Sequence, residues 1–185
     1  MKPAALADKT LSQFVVVDVQ ERLCATMHQE ALRAVLKNCG ILLQAVKLLG
    51  IPTLFTEQYP KGLGATLPEL AVWLPPEGRV EKTCFSCCEE SEFCALLDDT
   101  LPQVMLAGME AHICILQTAL ELQEMGRQPF VVEDAVISRN PENRRNAMHR
   151  LRQAGIIVTN TESLLFEWLK VAEGDAFRQI SKLLR

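Results

Sequence analysis

The sequence predicts an α/β domain: a three-layer α/β/α sandwich around a mostly parallel, Rossmann-like sheet. Short apolar runs alternate along the chain with longer amphipathic stretches. The runs are rich in β-branched residues and apolar throughout, as expected of strands covered on both faces. Several amphipathic stretches are bounded by residues that start or stop helices.

Phe14 to Val17 ends at Asp18 and reads as the first strand. Leu32, Val35, Leu36, Cys39, Leu42, Leu43, Val46 and Leu49 recur at helical spacing, and Gly50 is placed to end that helix. Ile51 to Thr56 is the second strand, with Pro52 tolerated near its start. Frequent Gly and Pro from Glu57 to about Glu81 predict a loop over the sheet, and Glu89 to Asp98 a short helix. Gln103 to Ala107 is the third strand, followed by a helix that runs to about Met125 and stops at Gly126. Pro129 to Val132 is the fourth, ending at Glu133 and Asp134. Asn140 as N-cap, Pro141 at the first helical position and Gly155 past the end punctuate the next helix. Ile156 to Val158 makes a fifth strand. Thr161 is expected to cap a helix through Leu169, and Asp175 a last one carrying Phe177, Ile180, Leu183 and Leu184. With no internal repeat or low-complexity linker, residues 1–185 read as one domain.

Composition narrows the function. Hydrophobic residues make up 49% of the chain, which argues against disorder. A net charge of −4 argues against nucleic acid as a main partner, since phosphate binding needs a basic face. No apolar run approaches the ~20 residues needed to span a bilayer, so no membrane partner is expected. The first residues lack the pattern of a signal peptide, and the seven cysteines read as reduced thiols of a cytoplasmic protein.

In parallel sheets the active crevice lies at the carboxyl ends of the strands. Asp18, the segment Gly108 to Cys114, and Asp134 each follow a predicted strand. Cys114 falls in the first turn of a predicted helix, where the dipole and unpaired N–H groups favour a thiolate. That is where a nucleophilic cysteine belongs.

These residues carry a resemblance. Val15-Val16-Val17-Asp18-Val19-Gln20, Glu81-Lys82, and Gly108-Met109-Glu110-Ala111-His112-Ile113-Cys114 followed by Gln117-Thr118-Ala119 resemble the isochorismatase-like cysteine hydrolase superfamily. Thr56 to Gly64, and the stretch from Asp134 through Ser138-Arg139 to Thr161-Glu162-Ser163, are similar to its isochorismatase-domain-containing branch. The resemblance implies the isochorismatase-like hydrolase fold and an Asp18–Lys82–Cys114 triad. It also implies an oxyanion hole from the backbone N–H groups of Glu110 and Cys114, and a cis Met109–Glu110 peptide. Asp18 then takes the thiol proton, Lys82 holds Asp18, and the sulfur attacks a small amide, carbamoyl or related carbonyl compound to form a thioester.

The chain departs from the pattern at one place. Where nicotinamidases carry an Asp/His metal cluster, it has Glu57, Gln58 and Tyr59, and its three histidines are scattered. No metal and no cofactor are expected. Gln20, Tyr59, Phe85 and His112 are candidate substrate-binding residues; Tyr59, Phe85 and Trp73 either wall the ligand or cover the sheet. Homo-oligomerisation is expected, with the apolar C-terminal helix as part of an interface. Two other readings stand beside hydrolysis: a non-catalytic scaffold with a vestigial pocket, and a thiol redox protein using Cys84, Cys87, Cys88 and Cys94.

Overall fold

Along the first strand Phe14 and Val16 face one side and Val15 and Val17 the other, and all four are buried. That double burial is what a central parallel strand requires. The computed structural model describes residues 6–185. Within them the strands are β1 (Ser12–Val17), β2 (Thr53–Gln58), β3 (Arg79–Lys82), β4 (Gln103–Met109), β5 (Gln128–Ile137) and β6 (Ile157–Thr159). They form one sheet in the order β3-β2-β1-β4-β5-β6, every pair parallel.

Helices close both faces. Phe14, Val16, Phe55, Met105 and Phe130 pack against α1 (Gln29–Leu49), with two C-terminal helices on that same side. Val15, Val17, Leu54, Val80 and Leu106 pack against the short helix Ser91–Leu96, α2 (Leu116–Glu124) and α3 (Pro141–Gln153). The two helices completing the first face are α4 (Thr161–Leu169) and α5 (Gly174–Leu183). On α4 the fully buried Trp168 donates its indole N–H to Ser12 Oγ at 3.0 Å, pinning that face to β1. Among the described residues no helix is long and apolar enough to cross a membrane.

Helix punctuation follows the residues. Gly50 ends α1 in the left-handed conformation, and Asn140 caps α3 by accepting from the Glu142 N–H. Other boundaries shift. Asn160, not Thr161, caps α4, and α5 starts at Gly174 behind Glu173. Thr161 instead donates its N–H and hydroxyl to Asp134 Oδ1, each at 2.8 Å.

Two predictions need larger correction. The loop expected through Glu81 contains β3, whose alternating Arg79-Val80-Glu81-Lys82 offers one apolar residue to the core. An edge strand can be that polar. β5 also continues past Asp134 to Ile137 through a register shift against β4. Asp134 is therefore inside a strand, tied to α4, and not on the rim. Finally, the C-terminal helix turns its apolar face inward: Ile180 is fully buried, Leu183 packs on the core, and Phe177 meets Phe166 at 6.4 Å between ring centroids. Phe177, Leu183 and Leu184 stay partly exposed, next to the exposed Phe166.

Candidate active site

Because β3, β2, β1 and β4 are parallel neighbours, their carboxyl ends fall side by side along one rim. Lys82 is the last residue of β3, Thr56 and Gln58 project from the end of β2, Asp18 follows β1, and Glu110 follows β4. Four segments far apart in sequence converge there.

Two backbone features set the spacing. Asp18 has φ +52°, donates its N–H to Thr56 O and accepts from Gln20 N–H, so the chain turns sharply off the strand. Asp tolerates this left-handed region better than branched residues do. Beside it, Gly108 has φ +117°, and a Cβ there would lie 2.1 Å from Val17 O. Only glycine allows β1 and β4 to approach so closely. The Met109–Glu110 peptide that follows is cis, as the resemblance implies.

Asp18 is fully buried. Its Oδ1 accepts from Thr56 Oγ1 at 2.7 Å and its Oδ2 from Lys82 Nζ at 2.7 Å. Lys82 Nζ also reaches Gln58 Oε1 at 2.6 Å and the carbonyls of Cys84 and Phe85 at 3.2 Å each. Burial pushes the Lys82 pKa down, but Asp18, with Cys87 and Cys114, outweighs burial and raises it, so the group is an ammonium.

Cys114 completes the cluster from the other side. It lies in a π turn, Ala111–Ile115, in which Ile115 N–H donates to Glu110 O at 3.3 Å, and which feeds directly into α2. The Asp18 carboxylate is close enough for its charge to act on the thiol. Against the expected thiolate, burial first, then the Asp18 charge, push the Cys114 pKa up to about 12, and Lys82 offsets this only in part. Burial thus favours the protonated thiol beside the carboxylate.

The other candidates divide. Glu110 is buried, and its carboxylate is held by Arg139. Gln20 is buried and spent as a loop clasp: its Nε2 donates to Gln58 O and Gly64 O, and its Oε1 accepts from Gln58 N–H. Tyr59 and Phe85 are exposed beside Lys82, Tyr59 N–H donating to Lys82 O and Phe85 O accepting from Lys82 Nζ. Tyr59 lines a cleft of about 310 Å³ with Lys61, Lys82 and Glu90. Trp73 is elsewhere, its ring centroid 5.5 Å from Lys47 Nζ on α1. His112 Nδ1 is 2.9 Å from Ser138 Oγ, and its Nε2 is 3.3 Å from Asn143 Nδ2. With Asn143 donating, the ring proton falls on Nδ1, and neither nitrogen serves Cys114.

Glu57, at the metal-cluster position of nicotinamidases, has both carboxylate oxygens occupied. Thr66 donates to one from N–H and hydroxyl, and Arg79 donates to the other through Nε and Nη2.

The sequence reading gave Thr56 and Gln58 no site role and placed Cys87 only in a redox cluster. Thr56 and Gln58 sit two apart on one face at the end of a strand, a spacing that marks them as rim residues. Cys87 is fully buried, its Sγ 3.9 Å from Thr56 Oγ1, and burial pushes its thiol up to about 12. Its loop is docked on α2: Cys87 N–H donates to Thr118 Oγ1, and Ser86 Oγ donates to Glu121 Oε2.

Comparison with known proteins agrees with this architecture. The isochorismatase domain model matches residues 12–163. Isochorismatase domain-containing protein 2 of Danio rerio is 42% identical over 175 residues, 94% of this chain and 86% of its own length. The structure described as the Mar1 ribonuclease of Caenorhabditis elegans superimposes with a TM-score of 0.88 at 34% identity, covering 97% of this chain and 92% of that one. The YcaC gene product of Escherichia coli, described as an octameric hydrolase of unknown specificity, gives a TM-score of 0.90 at 23% identity over 99% and 92%, a likeness of fold. The chain belongs to the isochorismatase domain family.

Proposed function

We propose that this isochorismatase-family hydrolase acts through Cys114 on a small amide, carbamoyl or related carbonyl compound. The observation that carries the reading is the buried arrangement in which Asp18 accepts from Lys82 Nζ while both charges act on the buried Cys114 thiol. The carboxylate is the acceptor for the thiol proton, and the ammonium keeps it oriented.

As Cys114 Sγ bonds to the carbonyl carbon, its proton passes to Asp18. The carbonyl oxygen becomes an oxyanion received by the N–H groups of Glu110 and Cys114. On collapse of this intermediate the bond to the leaving amine breaks, and Asp18 returns the proton to that amine. Asp18 then removes a proton from water, which attacks the thioester carbon, and the acid departs as Cys114 regains its proton. Lys82 keeps its charge throughout and holds Asp18 in place. Cys84 is half-buried beside Glu90 whereas Cys87 is closed off beside Thr56, a separation that disfavours a working redox pair. Self-association belongs to the same proposal and is read by sedimentation.

The test is a panel of small amides and carbamoyl compounds with intact-mass detection. A Cys114-linked acyl adduct is expected with a good substrate, lost in Cys114→Ala together with turnover. The relative described as a ribonuclease supplies the contrary outcome. RNA cleavage that needs Cys114, with no small-carbonyl turnover, overturns the proposal, as does turnover that survives Cys114→Ala.

A further inference from the structure

The segment after β5 has no part in the chemistry above, yet it grips the Cys114 turn at two points. Glu110 has a side chain only 6% exposed, and both its carboxylate oxygens bind one residue: Oε2 accepts from Arg139 N–H at 2.9 Å and Oε1 from Arg139 Nε at 3.1 Å. Two residues on, His112 is held at both ring nitrogens, by Ser138 Oγ and by Asn143 Nδ2. A two-point tether fixes orientation as well as distance. Arg139 itself is 58% exposed, and such a pair contributes little to stability. Its main effect is on geometry.

We propose that Arg139, acting through Glu110, and Ser138 and Asn143, acting through His112, are positioning residues that hold the backbone N–H groups of Glu110 and Cys114 where the oxyanion forms. The inference rests on the reading of Cys114 as the nucleophile. It assigns the loop between β5 and α3 the task of holding the oxyanion donors in register with the sulfur. Asp18, just after β1, and Lys82, at the end of β3, activate the thiol independently of that loop.

Two reagents separate these tasks. Iodoacetamide alkylates sulfur by displacing iodide and forms no oxyanion. Propionaldehyde adds sulfur to its carbonyl carbon as the thiol proton leaves for Asp18, and the resulting thiohemiacetal oxygen needs the donors. Aldehyde affinity is read as the concentration that halves iodoacetamide labelling of the Cys114 peptide. In Arg139→Ala and in Asn143→Ala, labelling without aldehyde is expected to stay within about twofold of the parent protein. The protecting concentration of propionaldehyde should rise about tenfold or more, since misplaced oxyanion donors lose much of their effect. Arg139→Lys should recover part of the loss and serves as the second variant where Arg139→Ala does not fold. Unchanged protection in both alanine variants overturns the clamp, as does a parallel fall in labelling and protection. If propionaldehyde does not protect Cys114 in the parent protein although iodoacetamide labels it, the catalytic reading fails first and the clamp with it.

Discussion

Lys82 Nζ lies 2.7 Å from Asp18 Oδ2, and neither side chain is exposed. Removing one partner leaves an uncompensated buried charge, whereas removing both removes the problem. Lys82→Met is therefore expected to lose about 3–5 kcal/mol, and adding Asp18→Asn should restore much of that. Urea unfolding of the two single variants and the double variant measures the coupling. Strictly additive losses would contradict a paired arrangement.

The same pair acts on Cys114 with opposite signs. Asp18 raises the thiol pKa and Lys82 lowers it, so Asp18→Asn should bring it down from about 12 and Lys82→Met should push it higher. Turnover should fall in both, by about 10²-fold or more where Asp18 no longer moves the proton. The pH dependence of Cys114 alkylation, followed on its peptide by mass spectrometry, gives the first result, and assay of the small-carbonyl substrate gives the second. An unmoved profile in Asp18→Asn would separate the carboxylate from the sulfur.

Burial holds Cys24, Cys39, Cys87, Cys88 and Cys114 near a pKa of about 12. The unfolded chain releases these protons from about pH 8.5 upward, while the folded chain keeps them. Their contribution is complete below that pH and drains away as pH rises toward 12. The urea midpoint is expected to drop steeply between pH 9 and 11, in steps of up to about 1.4 kcal/mol per pH unit for each thiol. A flat midpoint over that range would show thiols that titrate normally in the fold.

Glu57 behaves oppositely. Burial raises its pKa, but the two donations from Thr66 and the pairing with Arg79 outweigh burial and lower it. A depressed carboxylate stabilises the fold above its unfolded pKa and loses that contribution as pH falls through the folded value. Arg79 is 43% exposed, so Arg79→Ala should cost only about 1 kcal/mol at pH 7 and less near pH 3. Unfolding midpoints of the variant and its parent at the two pH values check this.

Gly108 carries the close approach of β1 and β4. A Cβ there would overlap Val17 O, and its φ of +117° is one that L side chains rarely adopt. Gly108→Ala is expected to cost about 3 kcal/mol or more and to remove turnover by parting Asp18 from Cys114. A variant of parental thermal stability would disprove the contact.

Much of this was legible in the residues. The valine run before Asp18, the heptad-like spacing along Gln29–Leu49 and the Asn140-Pro141 start are local signals, and local signals survive folding unchanged. β3 was not legible, because an edge strand needs only Val80 to face the core, and four polar-rich residues look the same in a loop. The continuation of β5 through Asp134 was hidden for a related reason: its partners are β4 and Thr161, distant in sequence.

The site followed the same division. The linear order of residues determined the α/β alternation, the small-residue turn at Gly108 and which groups carry reactive chemistry, since periodicity and residue type are properties of the chain itself. Tertiary structure alone decided that Asp18 is shared between Thr56 and Lys82, that Cys114 is buried, and that His112 faces Ser138. Those outcomes depend on desolvation and on donors and acceptors brought from other strands, and neither exists until the sheet has closed around them.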